Sequence, residues 1–427
     1  MTKKNPNYQF HTFESGLRLV SVPMKGTKTV AVYVLVGTGS KYETKENNGI
    51  AHFLEHMVFK GTTKRPGKMD IARELDSFGA EYNAFTTKEY TGYYAKASAL
   101  KLDSLMDVVF DIYLNSKLDD ADIQTEKGVI IEEINMCNDV PSRHVGDLFE
   151  RLLYGDQPAG WDIAGTKEII KKLERKDFME YFNTHYIAEN TVVAVAGNIK
   201  PDDVREKAER YSSTIRHGSS VIKPATKESQ EKPALLLEYK KTDQTTLDLG
   251  FRAYHMYDKK KYALGLLGVI LGGGASSRLW EEVREKRGLA YSIRAGQHCY
   301  TDSGYFCVSA GVNNKKALES IEVILAEIRK VKKEGITIQE LQQAKDQIAG
   351  HMALSLEESD NIAESYAESV LFENRVLTPE EELDKIKLVT RDEVIEVARE
   401  VFDGKNLNLA LIGPFKDEEP FRRLLKI

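Results

Sequence analysis

Gly49-Ile50-Ala51-His52-Phe53-Leu54-Glu55-His56-Met57-Val58-Phe59-Lys60-Gly61-Thr62 is the stretch on which the reading of this chain turns. His52 and His56 stand four apart, and on a helix such positions share a face, about one turn from each other. Two imidazole nitrogens placed that way can grip one ion. Glu55 lies on nearly the same face. Its carboxylate would hang beside the ion without having to bind it, which is where a base must stand to take a proton from a metal-bound water. Gly49-Ile50-Ala51 leads in and Met57-Val58-Phe59 follows, so the helix is predicted to be buried on several sides. Buried histidines and glutamates are costly without compensation. A divalent cation supplies that compensation. The order H-x-x-E-H inverts the commoner H-E-x-x-H and is the inverzincin pattern.

A catalytic zinc takes three protein ligands and keeps one open position. The third ligand is sought on another element. Asp122 to Ile134 carries apolar residues at helical spacing together with Glu126, Glu132 and Glu133. Glu126 and Glu133 are two helical turns apart and share a face, while Glu132 is rotated from it by about 100°. A ligand and a supporting carboxylate on one stripe is a workable construction. Periodicity alone leaves Glu132 and Glu133 nearly tied.

The 49–62 stretch resembles the pitrilysin (M16) family of metallopeptidases. It is most similar to the half-length branch that includes the mitochondrial processing peptidase β subunit and its bacterial relatives. In that family the third ligand follows the second His at about the distance at which Glu133 follows His56, 77 residues, and another acid stands seven before it, as Glu126 does here. The resemblance therefore implies a zinc endopeptidase of unfolded peptides or presequence-like segments. It implies one zinc per chain held by His52, His56 and Glu133, with Glu55 as base and Glu126 as a second catalytic carboxylate. The stretch Gly79 to Tyr94 is rich in Thr and aromatics and reads as strand. By resemblance Asn83, Ala84 and Phe85 belong to an edge strand that takes the substrate peptide as an added strand. The family also has an Arg and a Tyr seven apart in its second domain, facing the metal. Arg284 and Tyr291 match them, the first to hold a carbonyl or carboxylate, the second to donate to the developing oxyanion.

At 427 residues the chain is too long for one core. Residues 217–233 are polar, bear Pro, Gly and Ser, and lack any period, so they read as a linker between a metal-binding domain, 1–216, and a second domain, 234–427. The two halves read as copies. Asn190 to Asn198 and Asn406 to Pro414 each close a half with an apolar strand ending at Gly, 216 residues apart. The same shift carries His52, Glu55 and His56 onto Gly268, Leu271 and Gly272. One copy keeps the metal residues and the other lacks them.

The expected class is α+β, two α/β sandwiches with sheet packed on helices, of the kind that forms a clam or barrel on dimerisation in the family. Leu17 to Pro23 and Thr29 to Val36 read as strands. Helical spacing runs through 67–78, 97–115, 121–137, 166–183 and 200–210, then 262–271, 276–286, 314–333 and 338–357. An apolar fraction of 41% with 30% charged residues is ordinary for a soluble protein. A net charge of −6 gives no reason to expect nucleic acid. No stretch reaches membrane-spanning length and the first residues lack a signal's apolar segment, so a cytoplasmic protein is expected. Cys137, Cys299 and Cys307 are odd in number and read as free thiols. A homodimer is the simpler expectation. The alternatives are the catalytic subunit of a heterodimeric processing peptidase and a non-catalytic structural subunit, and the intact His52, Glu55, His56 and Glu133 weigh against the last.

Overall fold

A computed structural model of the chain describes residues 2–5 and 7–427. Twelve strands are present among them: β1 (Thr2–Asn5), β2 (Tyr8–Thr12), β3 (Arg18–Pro23), β4 (Thr29–Val36), β5 (Glu81–Thr86), β6 (Thr91–Ser98), β7 (Thr191–Gly197), β8 (Ala234–Tyr239), β9 (Gln244–Arg252), β10 (Ala290–Cys299), β11 (Gly304–Asn313) and β12 (Leu407–Gly413). They form two open sheets. The first has the order β1-β2-β3-β7-β4-β6-β5 and the second β10-β11-β9-β12-β8. Read from the other side, the second repeats the last five strands of the first. In both sets of five strands one pair is parallel, β3 with β7 and β8 with β12, and the remaining pairs are antiparallel.

The chain divides into two compact units. One comprises 1–134, 162–224 and 351–381; the other comprises 135–161, 225–350 and 382–427. The break at Pro224 and Ala225 falls within 217–233, which carries no strand or helix up to Ala234. The halves 1–216 and 234–427 each supply the strands of one sheet. The units differ from those halves by exchanging two helical segments.

In the first unit β4 alternates. Val30, Val32, Val34 and Val36 point into a core shared with Phe53, Leu54, Val109, Phe110 and Phe178, all buried. Ala31, Tyr33 and Leu35 point to the opposite face, where the helix Ser359–Glu373 lays down Ala363, Tyr366, Ala367 and Val370. A strand covered on both sides needs apolar residues at every position, which is why β4 reads as one unbroken apolar run. In the second unit Leu247, Leu249 and Phe251 of β9 enter a core with Leu264, Leu267, Ile321 and Val394. Its opposite face is covered by the helix Pro141–Tyr154 through Val145, Leu148, Phe149 and Leu153. Each fully buried Leu, Val or Phe contributes about 1.5–3 kcal/mol.

Three expected elements differ in detail. The 166–183 helix is two, Lys167–Lys172 and Arg175–His185, because Glu174 and Asp177 form a capping box that starts a new helix. The 97–115 helix begins only at Leu102, since β6 runs to Ser98. The 276–286 helix is reduced to a wide π-helical turn, Trp280–Glu285, with a short lead-in. Among the described residues, no helix is long and apolar enough to cross a membrane. The three cysteines are free.

Candidate metal centre

The helix Ile50–Met57 buries Ile50, Ala51, Phe53, Leu54 and Met57, and Phe53 meets the Phe178 ring edge-on at 4.7 Å. That leaves His52, Glu55 and His56 together on the remaining face. The start of the helix is fixed from two sides. Gly49 has φ +98°, and a Cβ there would lie 2.7 Å from the carbonyl oxygen of Ala164, so only Gly fits. Glu43, buried to 2% exposure, accepts the backbone N–H of Gly49 and of Ala51, each at 2.8 Å, and the side-chain amide of Asn48 at 2.9 Å. A carboxylate at a helix N-terminus satisfies otherwise orphaned N–H groups and complements the dipole. Burial still pushes the Glu43 carboxyl up to about 7, against the pull of these hydrogen bonds.

The second element is the helix Asp120–Asp139. Its Glu133 Oε2 lies 3.6 Å from His52 Nε2 and 3.3 Å from His56 Nε2. Each of the three residues offers one ligand atom within 4.8 Å of the others. Atoms bound at about 2.0–2.1 Å to one ion in tetrahedral array stand roughly 3.3 Å apart, so these donors fit a zinc ion. Glu132 is exposed. Two turns before Glu133, the buried Glu126 sits 3.0 Å from His56 Nδ1 and accepts a 2.7 Å ion pair from Lys60 Nζ. With Nδ1 engaged by Glu126, Nε2 is the nitrogen that faces Glu133 and that would ligate a metal. His52 lacks that brace: its Nδ1 is buried with no hydrogen-bond partner among the described residues.

The charges fit a cation. Burial, helped by the neighbouring His56, pushes His52 down to about 4, so it is neutral at pH 7 as a ligand must be. Burial also works to lower His56, but its contacts with Glu126 and Glu133 win and hold it up to about 9. The same carboxylates that attract a proton there attract a metal. For Glu126 burial works upward, and the hydrogen bonds from His56 and Lys60 outweigh it and lower the carboxyl. Burial raises Glu55, partly offset by a 2.7 Å hydrogen bond that its Oε2 accepts from the Thr86 hydroxyl.

The 79–94 stretch is a hairpin rather than one strand. Asn83, Ala84 and Phe85 lie in β5, at the edge of the first sheet and, among the described residues, paired only with β6. Asn83 is exposed and its Oδ1 accepts the Ala84 N–H at 2.9 Å; Ala84 is buried, and Phe85 packs edge-on against Tyr90. Arg284 and Tyr291 lie in the second unit. The Arg284 guanidinium stacks over Trp280 at 3.9 Å and stands 5.7 Å from the Tyr291 ring, and Tyr291 is 75% exposed. His144, the residue to test next as a ligand if Glu133 is not one, lies in the second unit, 3.1 Å from Glu238. The sequence reading passes over Lys60, Thr86 and Glu43. Lys60 is legible as the i+4 neighbour of His56; the other two act through contacts distant in sequence.

Residues 18–167 match the model of the insulinase family, peptidase family M16, and residues 172–348 match the peptidase M16 inactive domain. YmxG of Bacillus subtilis, named an uncharacterized zinc protease, is 34% identical over 95% of this chain and 98% of its own length. An uncharacterized zinc protease of Streptomyces coelicolor is 34% identical over 96% of this chain and 90% of its own. The crystal structure of a protease from Helicobacter pylori superposes with a TM-score of 0.90 at 25% identity, covering 95% of this chain and 99% of that one. Matched along both halves, and aligned over nearly its full length with proteins named zinc proteases, the chain belongs to peptidase family M16.

Proposed function

We propose that this protein is a zinc endopeptidase that hydrolyses unfolded peptides, with one zinc per chain held by His52, His56 and Glu133. The observation that carries the reading is the convergence of His52 Nε2, His56 Nε2 and Glu133 Oε2, with Glu55 on the same helix face. Bound there, zinc would polarise a peptide carbonyl and bring the pKa of a water towards about 7. The chain's own residues do the rest. Glu126 keeps the proton of His56 on Nδ1. Glu55, with Oε2 occupied by Thr86, has Oε1 free to take the proton of the attacking water and return it to the leaving amine. The open edge of β5 offers Asn83, Ala84 and Phe85 to an extended peptide, and backbone pairing gives affinity with little sequence preference. The roles of Arg284 on the peptide and of Tyr291 on the oxyanion rest on the family motif alone. Assembly as a homodimer rests on the pairing of family members of this length and on this chain carrying both the metal residues and the Arg/Tyr pair. Gly268, Leu271 and Gly272 in place of the metal residues support one zinc per chain, as does the inactive-domain match over 172–348.

The deciding variant is Glu55→Gln, which keeps size and all three ligands. About one zinc per chain should remain by elemental analysis, and hydrolysis of a fluorogenic peptide should fall at least the 10²-fold typical of a lost general base. A zinc-replete Glu55→Gln protein with near wild-type activity overturns the reading.

A further inference from the structure

A glutamate at a helix surface has three rotatable side-chain bonds, and a base that swings through them is misplaced for most of its time. Something must hold Glu55. Among the described residues, its one hydrogen-bond partner is Thr86, whose hydroxyl donates to Oε2 at 2.7 Å. Thr86 is the last residue of β5 and lies opposite Thr91 of β6.

The end of β5 is itself held firmly. In the turn that follows, the Thr87 N–H and hydroxyl both donate to the Tyr90 carbonyl, at 2.8 and 2.9 Å, and the Tyr90 N–H returns a 3.0 Å bond to the Thr87 hydroxyl. The segment before the metal helix grips the same turn. The Ser40 N–H donates to the Thr87 carbonyl at 3.2 Å and the Lys41 N–H to the Lys88 carbonyl at 2.8 Å. Gly39 makes this approach possible, since a Cβ there would stand 2.3 Å from the Thr87 carbonyl oxygen. A buried ion pair, Lys41 to Glu89 at 3.0 Å, closes the contact. The Thr86 hydroxyl is thus presented by a backbone with little freedom, as a preorganised site needs.

We infer that Thr86 is a positioning residue: it fixes the Glu55 carboxylate by occupying Oε2, so that the proton taken in the reaction goes to Oε1. The inference rests on the zinc-peptidase reading and deepens it. Oε2 accepts the Thr86 proton whether Glu55 is ionised or carries its new proton on Oε1, so the carboxyl stays in place through both transfers. The O–H of Thr86 is never broken. The same strand offers its open edge to the peptide. One rigid element would then set both the height of the scissile carbonyl and the position of the base beside it, which is how misplacement by about 1 Å comes to cost up to 10²-fold in rate.

Thr86→Val keeps the β-branched shape that suits a strand and removes only the hydroxyl; Thr86→Ser restores it. With a fluorogenic peptide, kcat of Thr86→Val should fall about 10- to 100-fold. KM, zinc content and melting temperature should stay close to wild type, and Thr86→Ser should recover most of kcat. In a Glu55→Gln background, Thr86→Val should lower the residual rate no further. Wild-type kcat in Thr86→Val overturns the inference, as does a Ser variant no better than Val at equal zinc and equal melting temperature. So does an undiminished effect of Thr86→Val once Glu55 is Gln. Failure of the function reading looks different: there Glu55→Gln itself stays active with its zinc.

Discussion

The helices Ile50–Met57 and Lys261–Gly272 come to equivalent places by the 216-residue shift, and each packs beside the edge strand of its own sheet. They solve opposite problems. In the first, His52 and His56 keep imidazoles at two positions on one face, with Glu133 opposite. In the second, the matching Gly268 and Gly272 let the helix close onto β10. A Cβ on Gly268 would meet the Gly296 Cα at 3.2 Å, and one on Gly272 would lie 2.1 Å from the Ala295 nitrogen. The space that donors and an ion would fill in one copy is filled by strand backbone in the other. One topology thus carries a cluster of possible metal ligands in one copy and a packed helix–strand contact in the other, and a few side chains decide which.

The largest effect should come from the residue that faces the two imidazoles. Glu133→Gln should lose zinc, from about one per chain to a trace by elemental analysis, and lose peptidase activity with it. Glu132→Gln, one residue away and exposed, should keep both. Equal retention in the two variants would mean that a different residue completes the metal set, and the contrast between the copies would have to be redrawn.

The next test asks whether the second copy is only scaffold. Tyr291→Phe removes one exposed hydroxyl more than 150 residues from any of the metal residues. If Tyr291 donates to the oxyanion, kcat should fall on the order of 10²-fold with zinc content unchanged. Arg284→Ala should raise KM as well. Unchanged kinetics in both would return these residues to the surface, where the stacking of Arg284 on Trp280 is local packing.

Much of this was legible in the sequence because its causes are local. The i, i+4 spacing that brings His52 and His56 to one face is a property of the helix itself, as is the seven-residue stripe of Glu126 and Glu133. The apolar run of β4 was legible as a strand, though its cover on both faces was not. What stayed hidden is tertiary. No element was read at Pro141–Tyr154 or Ser359–Glu373, the two helices exchanged between the halves. Ser359–Glu373 mixes its signals: Ala363, Ala367 and Val370 are buried, and so in large part is Glu368, which takes a hydrogen bond from the Tyr90 hydroxyl. Pattern cannot say which sheet such a helix will cover. Periodicity left Glu132 and Glu133 tied and the family resemblance favoured Glu133; where the helix Asp120–Asp139 docks sets Glu133 against the two histidines. Thr86 and Glu43 act across 31 and 8 residues respectively, through bonds that no periodicity encodes.

A smaller effect should separate the copies by stability. Gly272→Ala gains up to about 1 kcal/mol of helix propensity, yet it drives a methyl into backbone that no rotamer change can clear. Overpacking of this kind costs about 1–3 kcal/mol, so a lowered melting temperature with unchanged zinc is expected. A Gly272→Ala protein as stable as wild type would show that the second helix has room to spare, and that its glycines do not explain the lost metal face.

The smallest effect concerns how the two helices begin. The first starts on the Glu43 carboxylate, whereas the second starts at Lys260 with no side-chain cap. Burial holds the folded Glu43 carboxyl near about 7, above its ordinary value of 4.5. A carboxyl raised by folding contributes stability that is fully present below its unfolded pKa and is lost as pH rises through the folded one, because there the unfolded chain binds fewer protons than the native. Between pH 6 and pH 8 this loss is on the order of 1 kcal/mol. Glu43→Gln cannot titrate. Its amide oxygen still accepts an N–H, while its NH₂ group faces donors that the carboxylate had satisfied. The variant should therefore be less stable than wild type at pH 6, and the gap should narrow towards pH 8, as only the wild type pays for ionising a buried acid. Parallel melting curves for the two metal-free proteins across that range would show that Glu43 is ionised throughout, with the helix dipole and three hydrogen bonds outweighing its burial.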